Sequence, residues 1–397
     1  MPALVAAAQQ LSHVYPRGAH LDGRGRLQLG GCDALELAGE FGTPAYVVDE
    51  DDLRARARAF TQAFAAHTDD FAIHFASKAF ACTAVARVLA EEGIGCDVAS
   101  GGELTMALKA GVEPSAIELH GNAKSEDELR LALAAGVGTI VVDNLHEAGR
   151  LVRLIDEHDG ASPQRVQLRI APGVSPDTHP SISTGGPNTK FGLNLSDAPR
   201  ALEQLSACPG VEVEGLHFHI GSQIMELAPF RAALERVVAA LGTDFGVWNL
   251  GGGLGVAYSP DEQPPSIEAY AAAKVAMGRE LCGPGKRIVD EPGRALTANS
   301  TVTLYTVQSV KRNVATWVGV DGGMSDNLRP MLYGARYEVE VADRFGGDTP
   351  CIVTGKHCES GDVLVRDALL ADPRPGDVLV TPATGAYGFS MANNYNG

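Results

Sequence analysis

Gly355-Lys356-His357-Cys358-Glu359-Ser360 sets a thiol between an imidazole and a carboxylate, a grouping that suggests a cysteine nucleophile activated by histidine. Other segments have comparable chemical reach. Phe75-Ala76-Ser77-Lys78-Ala79 ends an apolar run on a lysine. An amine held among apolar groups has a lowered pKa, which suits Schiff-base formation with an aldehyde. A surface lysine just past a strand would look the same. His217-Phe218-His219-Ile220-Gly221-Ser222-Gln223 puts two histidines at i and i+2, hence on one face of a strand. They could ligate a metal, stack on a flat aromatic group, or sit in the core. Leu250-Gly251-Gly252-Gly253-Leu254-Gly255 would let backbone N–H groups approach an anion, though a tight turn also wants glycine. Gly221 and Ser222 could donate to the same anion.

Asp290-Glu291-Pro292-Gly293-Arg294 offers a carboxylate able to keep a pyridine nitrogen protonated, and an arginine fork for phosphate or carboxylate. A buried Glu–Arg pair is the plainer reading. Arg329, within Asp321-Gly322-Gly323-Met324-Ser325-Asp326-Asn327-Leu328-Arg329-Pro330, and Tyr333 shortly after it suit a substrate carboxylate or a solvated turn. Ala383-Thr384-Gly385-Ala386-Tyr387 displays one phenol that could reach a phosphate or simply pack.

These residues need a scaffold, and the apolar rhythm predicts one. From about residue 45, short apolar runs alternate with helical patterns. Strands are expected at Ala45–Asp49, Ala72–Ser77, Gly95–Ala99, Ile117–His120, Thr139–Asp143, Val166–Ile170, Gly215–Ile220, Val247–Leu250 and Ile288–Glu291. Helices between them, such as Asp52–Ala66, Ala84–Glu92, Gly102–Ala110 and Glu126–Ala135, often end at glycine. About eight βα units in series predict a closed (β/α)8 barrel rather than an open sheet. Most of the strands end in polar residues: Lys78, Asp97, His120 and Asn122, Asp143, Arg169, His219, Asn249, Glu291. Barrel enzymes build their sites from that end of several strands at once.

After about residue 296 the pattern changes to strands joined by turns: Thr301–Val310, Trp317–Val320, Tyr337–Val341, Cys351–Thr354, Asp362–Val365 and Asp377–Thr381. This predicts a barrel over 45–295 and an all-β domain, sandwich- or barrel-like, from 1–44 plus 296–397, with Ala3–Leu37 contributing to it. Pro-rich Asp261–Pro265 reads as an insertion loop, not a boundary.

Composition narrows the class. Of 397 residues 45% are hydrophobic, enough for a sizeable core. With 32 basic and 49 acidic side chains the net charge is −17, which argues against nucleic acid or anionic membrane as a partner. Seven scattered cysteines without a CxxC pair fit a reducing compartment. Met1–Leu11 lacks the basic start of a signal peptide, and no run approaches a membrane span, so a cytoplasmic enzyme is expected.

Taken in order, FASKA, HIGSQ, GGGLG, EPGR, DGGMSDNLRP, GKHCES and ATGAY resemble the fold-type III, pyridoxal-phosphate-dependent decarboxylases, and within them the diaminopimelate decarboxylase family. The resemblance runs from about Phe41 to Tyr395. It implies decarboxylation of meso-2,6-diaminopimelate to L-lysine and CO2, with pyridoxal 5′-phosphate as cofactor and no metal. It implies that Lys78 carries the cofactor, His219 stacks on its ring, and Glu291 pairs with the ring nitrogen. Ser222, Gly252, Gly253, Pro292, Gly293, Arg294 and Tyr387 would surround its phosphate and the substrate. Arg294, Arg329, Tyr333, Glu359 and Tyr387 would hold the distal end of the substrate, two arginines suiting a zwitterionic tail. Phe218 stands where relatives often have a smaller residue. The chain stops at Gly397, where the family usually continues through a further strand and helix.

The resemblance also changes the reading of Cys358. It implies that the GKHCES segment reaches the barrel mouth of the other subunit of a homodimer. After CO2 leaves, the carbanion needs a proton. A thiol with an ordinary pKa of about 8.5 is mostly protonated at neutral pH and suits a general acid. If His357 and Cys358 are neighbours on a strand they face opposite ways, so the imidazole need not activate the thiol. Alternatives are decarboxylation of arginine, ornithine or carboxynorspermidine on the same fold, a non-catalytic cofactor-binding homologue, and a metal-dependent barrel hydrolase using His217 and His219.

Overall fold

The computed structural model describes residues 11–157, 162–174, 185–186 and 189–397. Expectations for Met1–Gln10 therefore lie outside the described residues. The chain forms two units: Arg54–Gly255 with Pro264–Ala295, and Met1–Leu53 with Val256–Gln263 and Leu296–Gly397.

In the first unit eight strands run parallel: Phe71–Ala76, Gly95–Val98, Ile117–Leu119, Thr139–Val142, Gln164–Ala171, Val211–His217, Val247–Asn249 and Arg287–Asp290. Each pairs with the next, and the eighth pairs with the first through Ile288 opposite Phe71. The sheet is thus a closed (β/α)8 barrel. Helices cover its outside, and on that face Val98, Leu119, Val142, Leu168 and Leu216 are wholly buried; the inward face carries polar residues, among them Asp97, Glu118, Gln167 and His217, which are also buried.

The helix starts are fixed locally. Ser100, Ser125 and Asn144 cap the helices Gly101–Ala110, Glu126–Ala135 and Leu145–Asp156, each side chain accepting from the backbone N–H three residues on. Ser125 and Glu128 form a reciprocal capping box. Gly111 and Gly136 end the first two of these helices in the left-handed conformation.

The second unit is built on a mixed sheet. Its order is Glu340–Val341, Val378–Pro382, Thr301–Arg312, Thr316–Val320, Thr349–Thr354, Val363–Leu370. Thr316–Val320 and Thr349–Thr354 run parallel, and the other pairs are antiparallel. One core gathers Tyr305, Val318, Val353, Leu370 and Leu379; a second gathers Val14, Leu27, Ala34, Val302 and Val380.

Two expectations need correction. Ala45–Val48 is a strand, but it does not begin the βα series; it pairs antiparallel with Thr301–Leu304. Its four half-buried residues specify a strand and not a partner. Asp261–Pro265 contains a crossing between units, since Val256–Gln263 belongs with the β unit. Ala257 packs in its second core, the Ala257 carbonyl accepts from the Asn299 amide at 2.9 Å, and Tyr258 meets Tyr337 edge-on at 5.3 Å.

Candidate functional site

At the C-terminal end of the barrel strands the polar residues converge on Glu291. Asn249, at the end of the seventh strand, donates from Nδ2 to Glu291 Oε1 at 2.7 Å and to Glu118 Oε2 at 3.0 Å. His120 Nε2 stands 3.1 Å from Glu291, 3.5 Å from Glu118 and 3.8 Å from Asp97. His217 Nε2 lies 3.2 Å from Glu291 Oε2, and its ring meets His120 edge-on at 4.9 Å. All these side chains are buried.

Their charges follow from the geometry. Burial opposes a charge on His120, but the Asp97, Glu291 and Glu118 carboxylates around it outweigh burial and push its pKa up to about 10. His217 goes the other way: burial pulls it down to about 4, so it is neutral and donates to Glu291 from Nε2–H. Burial disfavours the Glu291 carboxylate, yet His217 and His120 hold its pKa well below the usual carboxylate range. Glu291 is therefore an ionised carboxylate held by hydrogen bonds from Asn249 and His217 and by the His120 cation 3.1 Å away.

Donor atoms of His120, His217 and Glu291 lie within 4.8 Å of one another, the spacing of a metal site. A protonated His120 would first have to lose its proton to ligate one. Among the described residues, the paired histidines read from the sequence, His217 and His219, are not members of one such cluster.

Lys78 lies in a tight turn, Ser77–Ala79, directly after the first strand. Its neighbours Ser77 and Ala79 are buried while Lys78 itself is exposed, so of the two readings open in the sequence the structure shows a surface lysine just past the strand and not an amine enclosed by apolar groups. Its charge is felt by Asp97 and by His219. Burial, then Lys78 and Arg169, keep His219 neutral, its pKa well below the usual value.

The turn Glu291-Pro292-Gly293-Arg294 closes against this lysine loop. The Pro292 carbonyl accepts from Ala76 N at 3.1 Å, and a Cβ on Gly293 would stand 3.1 Å from those of Ala76 and Ala79. Arg294 is buried and donates to Ser222 Oγ from Nη2 at 2.9 Å and Nε at 3.2 Å. The glycine turn lies alongside. A Cβ on Gly252 would fall 1.9 Å from the Glu291 carbonyl oxygen, and Gly253, with φ at +122°, would put one 2.5 Å from the Gly221 carbonyl. Only glycine fits such a turn. The barrel thus brings together Lys78, His219, Ser222, Gly252, Gly253, Glu291, Pro292, Gly293 and Arg294.

Arg329, Tyr333, Cys358, Glu359 and Tyr387 belong to the β unit. Arg329 is buried, with its guanidinium 4.5 Å above the Tyr258 ring and bonded to the Tyr337 hydroxyl. Tyr333 ends the short helix Arg329–Tyr333, and Tyr387 has φ at +63°. Cys358 and Glu359 are exposed in the loop between Thr349–Thr354 and Val363–Leu370. Strand alternation therefore does not separate His357 from Cys358. Instead His357 is buried, its Nε2 accepting from Ser325 N at 3.4 Å, and the Cys358 N–H donates to Asn396 Oδ1 at 2.8 Å. The Tyr395 hydroxyl donates to the Cys358 carbonyl at 3.1 Å.

Sequence reading flags His120 and Asn249 only as polar strand ends, and misses Glu118 and Lys274. Glu118 alternates inward within an apolar strand, which is a usable signal. Lys274 sits in an amphipathic helix where a lysine ordinarily faces solvent, so nothing local marks it.

Residues 50–298 match the family described as pyridoxal-dependent decarboxylase, pyridoxal binding domain. The diaminopimelate decarboxylase of Actinosynnema pretiosum subsp. auranticum is 44% identical over 394 residues, covering 96% of this chain and 88% of that one. That of Bacillus subtilis (strain 168) is 43% identical, covering 94% and 88%. The crystal structure of diaminopimelate decarboxylase from M. jannaschii in complex with L-lysine superposes with a TM-score of 0.89 at 34% identity, over 96% of this chain and 91% of that one. By its barrel, its sequence and its likeness along nearly the whole length, the chain belongs to the pyridoxal-dependent decarboxylases, within the diaminopimelate decarboxylase family.

Proposed function

We propose that this protein decarboxylates meso-2,6-diaminopimelate to L-lysine and CO2 with pyridoxal 5′-phosphate. The observation that carries the reading is the ionised Glu291, buried at the strand ends, hydrogen-bonded by Asn249 and His217 and paired with the His120 cation, on the same barrel end as an exposed lysine and an arginine–serine pair. That donor set fits the cofactor: an amine for an aldehyde, an anion for a pyridinium, and a side-chain-free turn for a phosphate. When bound, pyridoxal phosphate supplies the electron sink that lets the carboxylate carbon–carbon bond break.

The chain's own groups hold and aim it. Lys78 would anchor the aldehyde end through Nζ, and the neutral His219 ring would lie against the flat face. Glu291, held anionic by His120 and His217, would keep a proton on the ring nitrogen. Ser222, Gly252, Gly253, Pro292, Gly293 and Arg294 would hold the phosphate end together with Tyr387. Arg294, Arg329, Tyr333, Glu359 and Tyr387 would position the distal amino-acid end, a positioning effect on the scissile bond. Cys358 would deliver a proton from Sγ to the carbon that lost CO2.

A homodimer with shared sites is part of the proposal. Met331, Leu332, Phe389 and Tyr395 are large exposed apolar or aromatic residues of the β unit. Tyr395 bonds the loop of Cys358, and Met331 packs on Gly361 of the same loop, so the apolar surface continues to the thiol. A cytoplasmic setting is also part of it, supported by seven cysteines that all stay unpaired, as a reducing compartment would keep them. Among the described residues no helix is long and apolar enough to cross a membrane.

The deciding assay is CO2 and L-lysine release from meso-diaminopimelate, with and without added pyridoxal phosphate, alongside arginine and ornithine. Cofactor-dependent lysine release is the expected result. Turnover of the other amino acids but not diaminopimelate would overturn the substrate, and no visible cofactor band in wild type would overturn the reading as a whole.

A further inference from the structure

Behind the glycine turn lies a buried cation that the reaction scheme above does not use. Lys274, on the helix Ile267–Cys282, is wholly buried. Its Nζ donates to the Gly251 carbonyl at 2.6 Å, to the Leu250 carbonyl at 3.1 Å and to Asp290 Oδ1 at 2.5 Å. The Phe230 and Tyr270 rings each lie 4.6 Å from it, and the Tyr270 hydroxyl donates to the same Asp290 oxygen at 2.8 Å. A lysine is costly to bury, and one that spends two of its three protons on main-chain carbonyls fixes those peptides.

The geometry sets what that fixing does. In a trans peptide the C=O and the following N–H point opposite ways. Drawing the Gly251 carbonyl toward the helix turns the Gly252 N–H away from it. The Gly251 N–H is itself tied to Asn249 Oδ1 at 3.0 Å, and the Gly251 carbonyl also accepts from Glu291 N at 3.3 Å. On the far side the Gly253 carbonyl accepts from Ile224 N at 2.9 Å, which seats the turn beside Ser222. Ser222 in turn holds Arg294.

We propose that Lys274 is a positioning residue for phosphate recognition: through Asp290 and the carbonyls of Leu250 and Gly251 it locks the glycine turn so that its N–H groups face an anion beside Ser222 and Arg294. The inference rests on the reading that the cofactor phosphate is held there. A neutral side chain at 274 would leave the turn free to rotate and its donors unaligned. Lys274 reaches the site only through Asp290 and the carbonyls of Leu250 and Gly251, so its effect falls chiefly on the anion that the turn binds.

The test compares equilibrium binding of pyridoxal phosphate and of pyridoxal, which lacks the phosphate, to the purified full-length chain after removal of cofactor. Removing Lys274 alone would strand Asp290, so the variant is Lys274→Met with Asp290→Asn, its fold checked by circular dichroism and thermal melting. Expected is a loss of tenfold or more in affinity for pyridoxal phosphate, with pyridoxal binding changed less than twofold. Parallel losses for both ligands, or no loss for either, would overturn the role of Lys274. If that variant does not fold, Lys274→Gln with Asp290→Asn keeps one donor, and a smaller loss confined to pyridoxal phosphate is expected; equal binding to wild type overturns the proposal. A wild-type protein with no preference for the phosphorylated ligand would instead overturn the underlying placement of the phosphate.

Discussion

At the scale of the residue, charge at Glu291 is decided by its neighbours rather than by its own chemistry. Glu291→Gln keeps the shape and the Asn249 contact but removes the anion. The expected outcome is a fall in kcat of roughly 10² or more with cofactor still bound, the size seen when one preorganised electrostatic group is lost. Steady-state kinetics with a cofactor absorbance check measure it, and unchanged kcat would sink the role. His120 gives a pH prediction. Its folded-state pKa of about 10 is raised above an unfolded value of about 6.5, so its stabilising contribution is complete below about pH 6.5 and is lost as pH rises toward 10. Urea midpoints between pH 6 and 10 should fall more steeply for wild type than for His120→Gln; parallel slopes would show that His120 is not bound to its carboxylates as a cation.

At the scale of the element, two glycines give opposite predictions from one rule. Gly252→Ala forces a methyl to within 1.9 Å of the Glu291 carbonyl, so backbone must shift. A loss of about 1–3 kcal/mol, typical of overpacking, should appear in denaturant melts together with weaker cofactor retention. Gly39, inside the helix Ala34–Phe41, has nothing within 4 Å of the point where a methyl would stand. Gly39→Ala should therefore stabilise the protein by about 0.5–1 kcal/mol, through the entropy glycine loses in a helix. A destabilised Gly39→Ala would mean that this helix end is already constrained by something other than propensity.

For the whole molecule, a site shared between subunits makes inactive variants complementary. Lys78→Ala and Cys358→Ala, each inactive alone, should regain up to about a quarter of wild-type activity when mixed and allowed to exchange, because one mixed-dimer site in two then has both residues. Exchange proven by mass labelling with no regained activity would rule out sharing. Arg329→Ala should raise KM for diaminopimelate far more than it affects cofactor binding. A comparable fall in cofactor affinity would move Arg329 from the distal end of the substrate to the phosphate.

The sequence by itself made the barrel legible, because eight strand-like runs at βα spacing each leave an apolar outer face that only an intervening helix can cover. It also marked the residues with unusual chemistry, since lysine, histidine and glutamate at strand ends stand out against apolar neighbours. What it could not determine is which neighbours set their state. Ala45–Val48 reads as one more βα strand until its partner, Thr301–Leu304, is known. Lys78 reads as an enclosed amine or as a surface lysine, and is exposed; Lys274, which nothing local in the sequence marks, is wholly buried. His120 and His217 are both strand-end histidines, yet one is held protonated by carboxylates across the barrel and the other is kept neutral by burial. Burial and partnership are properties of residues distant in the chain, Glu291 being 74 positions from His217. Residue type and spacing fix what a segment can form and what chemistry it can carry; only the closed tertiary structure decides which charges survive there.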